Sequence, residues 1–370
     1  MKYCTKCVLP TTRPGLTFDE AGVCSACRSA EVRVSIDWPA RELAFRHVVD
    51  NAKRKSTGYD CVIPVSGGKD STWQVAKCKD YGLNPLCVTW RTPGRTPLGQ
   101  KNLDNLIYLG VDHIDFQINP KVERKFTYKA LTKMGTPGLP MHMAIFNIPL
   151  NIACRFNVPL MIWGENTASE YTGEAMHQGF RLDNEWVARY GVTHGTVARD
   201  WLDDELTEHD LTPYFGPLSF DREKVLGVFL GYYFSWDAEN VYKVAATHGF
   251  ESAARAKTGL YNYADIDDDF ISIHHWFKWH KFGFTRLWDN LSLEIRNGRL
   301  TREQAIYLIK DAGDQTPYED IDKFCDFLDI STSHFFSIAA SFRNSTIWRH
   351  DEGIWRIDDF LIPDWDWHEG

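Results

Sequence analysis

The residues best suited to chemistry are Ser66-Gly67-Gly68-Lys69-Asp70-Ser71, set between the apolar run Cys61-Val62-Ile63-Pro64-Val65 and a helix-like segment ending at Tyr81. A strand, a glycine turn and a helix start together make an anion site, because the first N–H groups of a helix have no internal partner and point at the anion. Gly67 and Gly68 let the main chain approach phosphates closely, where a Cβ would clash. Lys69 adds a cation, Asp70 can hold the magnesium that accompanies a nucleotide, and Ser66 and Ser71 offer hydroxyls. The spacing is not G-x-x-x-x-G-K-[ST], which occurs nowhere in the chain. The bland alternative is a serine-glycine turn that merely joins a strand to a helix.

Two further sets carry chemistry. Cys4-Thr5-Lys6-Cys7 and Cys24-Ser25-Ala26-Cys27 are C-x-x-C pairs separated by 16 residues, a spacing that suits a four-cysteine zinc site. An iron–sulfur cluster or a redox dithiol are the alternatives, but four protein thiolates fill a tetrahedral ion and leave no open position, so structural zinc is expected. Gly164-Glu165-Asn166 follows an apolar run, and a carboxylate beside an amide can bind an N-acyl group, orient ammonia or ligate a second magnesium. Alone that tripeptide is unspecific, and a satisfied turn explains it equally. His274, Lys278 and Lys281 fall at i, i+4 and i+7 and share a helical face that could hold an anionic substrate or be simply solvated.

The elements that must position these residues alternate. Strands are expected at Cys61–Val65, Pro85–Trp90, His113–Ile118 and Pro159–Trp163, and helices at Ile36–Ser56, Asp70–Tyr81, Leu98–Leu109, Val122–Lys133 and Met141–Phe156, the last interrupted near Pro149. This order predicts an α/β fold: a parallel sheet with helices on both faces and ligands at the carboxyl ends of its strands. Thr89 and Trp90 end the second strand and Gly164 ends the fourth. Periodicity fades from Thr167 to Leu218, as in a lid or substrate loop; His177, His194 and His209 lie there without metal-ligand spacing. The remainder, including the apolar stretch Val225 to Tyr233, reads as helical and aromatic, with Asp267 to Lys281 placing Phe270, Ile273 and Phe277 on one face. Three units are expected: a zinc module at 1–35, a nucleotide domain at 36–220 and a helical domain at 221–370.

The totals narrow the partners. The chain has 370 residues, 14% aromatic, and 50 acidic against 41 basic side chains, a net charge of −9. Tight nucleic-acid binding relies on neutralising phosphates with Lys and Arg, so no nucleic-acid partner is expected. No run of about eighteen apolar residues predicts membrane insertion. Met1-Lys2-Tyr3-Cys4 lacks an apolar signal core, and a cytoplasmic location with reduced thiols is expected.

S-G-G-K-D-S resembles the pyrophosphate loop (PP-loop) of the ATP pyrophosphatase superfamily, whose members cleave ATP to AMP and pyrophosphate and attach AMP to a carbonyl or carboxyl oxygen. Together the paired C-x-x-C, S-G-G-K-D-S, G-E-N and the aromatic helical C-terminal half resemble the N-acetyl sugar amidotransferases of bacterial surface-polysaccharide pathways. The resemblance implies an adenine nucleotide alpha hydrolase-like fold, with ATP at Ser66 to Ser71, Thr89 and Trp90 beside the adenine, and Gly164 close by. It implies Lys69, Asp70 and Glu165 as catalytic residues, Mg2+ at Asp70 and Zn2+ at Cys4, Cys7, Cys24 and Cys27. The acetamido group of a nucleotide-linked N-acetylated sugar, held with Glu165, Asn166, His274, Lys278 and Lys281, would become an acetamidino group through an adenylated imidate. No glutaminase cysteine is apparent, since Cys61, Cys78, Cys87 and Cys154 lie in apolar elements and Cys4 is not N-terminal. A separate glutaminase would therefore supply ammonia, and a homo-oligomer is left open. A tRNA-thiolating enzyme with the same loop and zinc cysteines, or a non-catalytic nucleotide-binding scaffold, are the competing readings.

Overall fold

A computed structural model describes residues 1–173, 179–217 and 224–367; His177 lies outside them. Five parallel strands form the sheet: β1 (Cys61–Pro64), β2 (Pro85–Trp90), β3 (Asp112–Phe116), β4 (Leu160–Trp163) and β5 (Leu226–Phe229), in the order β3-β2-β1-β4-β5. The order reverses between β1 and β4, so a crevice opens at the carboxyl ends of those two strands. The strands are short and apolar because both faces are covered. Val62, Leu86, Val88 and Met161 point to one side, among Phe126 of α5 (Pro120–Met134) and Ala144 and Ile148 of α6 (Leu139–Arg155). Cys61, Ile63, Cys87, Leu160 and Ile162 point to the other, among Val49 of α2 (Trp38–Lys55), Val75 of α3 (Lys69–Asp80) and Leu103 of α4 (Pro97–Ile107).

Four of these strands and the intervening helices match the periodicity within a few residues, and three differences have physical causes. Helix α6 runs through Pro149 unbroken. The packing of Ile148, Leu150 and Ile152 in the core offsets the hydrogen bond that the proline removes. The strand β5 lies inside the apolar stretch Val225 to Tyr233, which has no alternation because both its faces are covered; it is therefore encoded past residue 220, in the stretch expected to be helical. The described part of 167–218 is packed rather than open. Helices α7 (Thr167–Thr172) and α8 (Asn184–Tyr190) are present, and Trp186, Trp201 and Tyr214 are buried beside α5 and α6.

The C-terminal half contributes helices Ile271–Phe282, Arg286–Arg296, Arg302–Ala312, Tyr318–Leu328 and Thr332–Ser341, then a hairpin at Trp348–Asp351 and Ile354–Ile357. Thr301 and Gln304 form a capping box. The helix expected from Asp267 begins only at Ile271, because the Asp268 carboxylate accepts the Phe270 N–H at 2.8 Å and turns the chain.

The N-terminal cysteines are buried against helix Arg286–Arg296, sharing a core with Trp288 and Leu291. Their sulfurs lie within 4.8 Å of one another, with Cys4 to Cys27 at 3.9 Å and Cys7 to Cys24 at 3.7 Å. A tetrahedral ion with metal–sulfur bonds of about 2.3 Å sets its ligands about 3.8 Å apart, so the four thiols fit one. The Cys7 and Cys24 N–H groups point at Cys4 Sγ, as they do when a thiolate needs donors.

The same interface holds a buried charge cluster. Asp289, 1% exposed, accepts from Arg13 at 2.7 Å and from Lys278 at 2.9 Å. Burial opposes its charge, but these cations and Arg286 hold the carboxyl far below its ordinary range. Asp289→Ala strands those cations and is expected to cost about 3–5 kcal/mol. Urea unfolding of the two proteins measures this, and a loss under about 1 kcal/mol would contradict the role given to the cluster.

Candidate active site

The S-G-G-K-D-S loop lies at the β1–β4 switch point. Gly67 has φ +88°, and a Cβ there would fall 2.7 Å from the Leu103 backbone nitrogen, so only glycine fits against α4. Gly68 is the N-cap of α3, whose first turn aims its N–H groups into the cleft. The loop is braced internally: Ser66 N–H donates to Ser71 Oγ at 3.0 Å and Gly68 N–H to Ser66 Oγ at 3.2 Å. Lys69 is 5% exposed. Burial pushes its pKa down, yet the Asp70 carboxylate, which its ammonium contacts, and Glu165 hold it above its ordinary value.

A cavity of about 360 Å³ opens in front of this loop, room for a nucleotide and part of a second ligand. Ser66, Gly68, Lys69, Asp70 and Ser71 line one side, Thr89 and Trp90 another, and Glu165 the wall at the end of β4. Thr89 Oγ1 donates to the Val65 carbonyl at 2.7 Å, and Trp90 Nε1 donates to Glu123 at 2.8 Å. A Cβ at Gly164 would sit 2.2 Å from Gln74 Nε2, so any larger residue there would displace the Gln74 side chain. Burial first, then the Asp70 charge, pushes the Glu165 carboxyl up to about 7, partly offset by Lys69. It can therefore take or hold a proton near neutrality.

The cleft does not receive every residue the sequence pointed to. The Asn166 side chain is buried and engaged as the N-cap of α7, its Oδ1 accepting from Ala168 N–H and from Trp186 Nε1, each at 3.2 Å. Lys278 is bound to Asp289. Lys281 donates to Thr136 Oγ1 at 2.9 Å and to the Met134 carbonyl at 3.0 Å, and burial lowers its pKa to about 8. His274 lines a smaller neighbouring pocket with Glu123, Asp268 and Phe324. The helical spacing of the three was right, but their polar groups are taken up by the interior or by that pocket.

Other residues fill the cleft in their place. From the C-terminal half come Asp265, Asp267 and Asp268, which precede the helix, and Arg286 and Asn290, from the helix after it. The Asp267 backbone carbonyl accepts the Thr96 N–H at 3.1 Å, tying this segment to the start of α4. Trp236, Tyr171, Tyr261 and Tyr263 add aromatic walls. Asp267 and Asp268 stood in the sequence at the start of the expected helix with no site role given to them; Arg286, Asn290 and Trp236 carried no local signal, because only the fold brings them to the cleft.

No match was found among curated protein sequences. A solved structure of NMN synthetase from Francisella tularensis is similar at a TM-score of 0.35 and 12% identity, over 76% of this chain and 96% of that one, a likeness too low to carry an argument. Residues 258–360 match the model of the "LPS biosynthesis protein WbpG-like, C-terminal domain", and that span includes Asp265, Asp267, Asp268, Arg286 and Asn290 of the cleft. Residues 258–360 are thus similar to the C-terminal domain of a lipopolysaccharide-biosynthesis protein, and the S-G-G-K-D-S loop lies on the parallel sheet that precedes them.

Proposed function

We propose that this protein is an ATP-dependent amidotransferase that converts the acetamido group of a nucleotide-linked N-acetyl sugar to an acetamidino group. The observation that carries the reading is that residues of the WbpG-like domain and the S-G-G-K-D-S loop line one cleft. ATP would lie with its phosphates on the α3 N-terminus, its adenine toward Thr89 and Trp90. The acetamido oxygen would attack the α-phosphorus and release pyrophosphate, leaving an adenylated imidate. Ammonia would then add to the imidate carbon, and AMP would depart with the C–O bond. An amide carbonyl is a poor electrophile, and adenylation makes its oxygen a good leaving group, hence this order. The helix dipole and Lys69 would stabilise charge gathering on the phosphates. Glu165 would accept a proton from the incoming nitrogen.

The carboxylates of Asp70, Glu165 and Asp267 on this cleft are hard oxygen donors, which suits magnesium bound by one or two carboxylates and by phosphate oxygens. Asp70 would hold it, and it would neutralise the departing pyrophosphate. The cysteine cluster would hold zinc as a structural ion. We place the enzyme in the cytoplasm, with ammonia supplied by a separate glutaminase; among the described residues no helix is long and apolar enough to cross a membrane.

Pyrophosphate release is the direct assay. A nucleotide-linked N-acetyl sugar with ammonium should stimulate it, tRNA should not, and the sugar product should show an amide oxygen replaced by NH in its mass. Asp70→Asn, which keeps an oxygen beside Lys69, is expected to lower turnover by about a thousandfold or more while the protein stays folded, as loss of a metal-placing carboxylate would. Stimulation by tRNA instead would overturn the assignment.

Acidity supplies a second check. If the ionised form of Glu165 works, kcat/KM for the sugar should rise as pH passes upward through about 7, because burial and Asp70 set that carboxyl there. Glu165→Gln should lose most activity and this limb together; a limb that survives in the variant would assign it elsewhere. For the cysteine cluster, protein purified under reducing conditions should contain one zinc per chain, and a brown, iron-bearing protein would refute the assignment.

A further inference from the structure

The Asp70 carboxylate is held from outside its own loop. Trp236 Nε1 donates to Asp70 Oδ1 at 2.8 Å, while the Lys69 ammonium contacts the other oxygen and lies 5.5 Å from the Trp236 ring centroid. Trp236 is 5% exposed, and a buried indole N–H needs a partner; here that partner is the carboxylate of the phosphate loop. The Trp236 backbone carbonyl in turn accepts from Arg33 at 2.8 Å. Arg33 is the last residue of helix α1 (Ser25–Arg33), which begins directly after Cys24 and contains Cys27.

The same helix reaches the other half of the site. Arg33 forms an ion pair with Glu170, a side chain of α7 that is 5% exposed, and α7 follows directly on Gly164-Glu165-Asn166. Ser25 Oγ donates to the Thr172 carbonyl. A Cβ on Gly173 would fall 2.2 Å from the Ser25 carbonyl oxygen, so the end of α7 and the start of α1 meet backbone to backbone. One short helix of the cysteine module therefore touches both the residue that orients Asp70 and the helix that follows Glu165.

We propose that Trp236 is a positioning residue that fixes the Asp70 carboxylate for its metal, and that the cysteine module sets Trp236 through Arg33. The proposal rests on the reading of Asp70 as the magnesium-holding carboxylate. With one oxygen tied to the indole and the other beside Lys69, the carboxylate has a single orientation toward the cleft. Without the indole bond it can turn about its side-chain torsions, and metal binding must then include the cost of ordering it.

The test uses the full chain and Mn2+ as the probe, with binding measured by electron paramagnetic resonance in the presence of α,β-methylene-ATP, which cannot be cleaved at the α–β position. Trp236→Phe keeps an aromatic ring and removes the N–H together with the second ring of the indole, so a melting temperature lowered by a few degrees is expected from the lost packing. It should weaken Mn2+ binding by about tenfold, the scale of one charge-assisted hydrogen bond. Nucleotide affinity without Mn2+, measured well below that temperature, should stay unchanged, which a merely structural role would not give. The paired variant Arg33→Leu with Glu170→Leu removes both buried charges at once and should reproduce the loss. If it does not fold, Arg33→Lys, able to reach only one of the two acceptors, takes its place with the same expectation. Unchanged Mn2+ binding in Trp236→Phe overturns the positioning role. A loss there with none in the Arg33 variants overturns the part given to the cysteine module. Asp70→Ala run alongside separates the two readings: if it leaves Mn2+ binding intact, the reading of Asp70 fails and the proposal falls with it.

Discussion

Everything at this site depends on the unpaired N–H groups at the start of α3. A helix that follows a parallel strand points its N-terminus at the carboxyl edge of the sheet, and the backbone there offers donors that no side chain need supply. For an anion to reach them, the chain between β1 and α3 must be flat and thin. Gly67 meets that demand: its left-handed φ and the 2.7 Å gap to the α4 backbone leave no room for a Cβ. The packing of α4 and the choice of glycine thus leave a bare helix N-terminus open to the cleft.

Burial changes the behaviour of the charges gathered round the cleft. Asp70 acts on both Lys69 and Glu165, and burial decides the outcome differently for those two. Lys69 stays cationic because Asp70 offsets its desolvation, whereas Glu165 lacks a cation of its own and remains near neutrality. Lys69 and Glu165 are thereby given different tasks, one a fixed cation and one able to exchange a proton. The Asp289 cluster follows the opposite rule, with several cations around one carboxylate, and its role is to fasten the N-terminal module to helix Arg286–Arg296.

How much of this was legible depended on how local each signal is. S-G-G-K-D-S could be read because strand, turn and helix start are contiguous, and the cysteine pairs because a tetrahedral ion fixes their spacing. The strand β5 was not, since an apolar run covered on both faces has no period to distinguish it from a buried helix. His274, Lys278 and Lys281 show the limit of a face argument. Periodicity puts them on one side of a helix correctly, but whether that side meets a ligand depends on what packs there, and Asp289, Thr136 and the Met134 carbonyl lie outside any local pattern. Trp236 and Arg286 belong to the same class: each reaches the loop from far along the chain.

Much protein surrounds the six-residue loop, and walls around a cleft strengthen the electrostatic interactions inside it. The sheet supplies only the floor. The walls are Trp90 and Thr89 from β2, Tyr171 and Trp236 from segments that α1 touches, and the Asp265–Asn290 stretch, which lies within the residues similar to the WbpG-like domain. The cysteine module gains its importance from where it sits: it has no face on the cleft, yet it packs on Trp288 and Leu291 of one wall and bonds through Arg33 to another. A small module that cannot bury a core of its own depends on such contacts, and through them it is tied to two walls of the cleft.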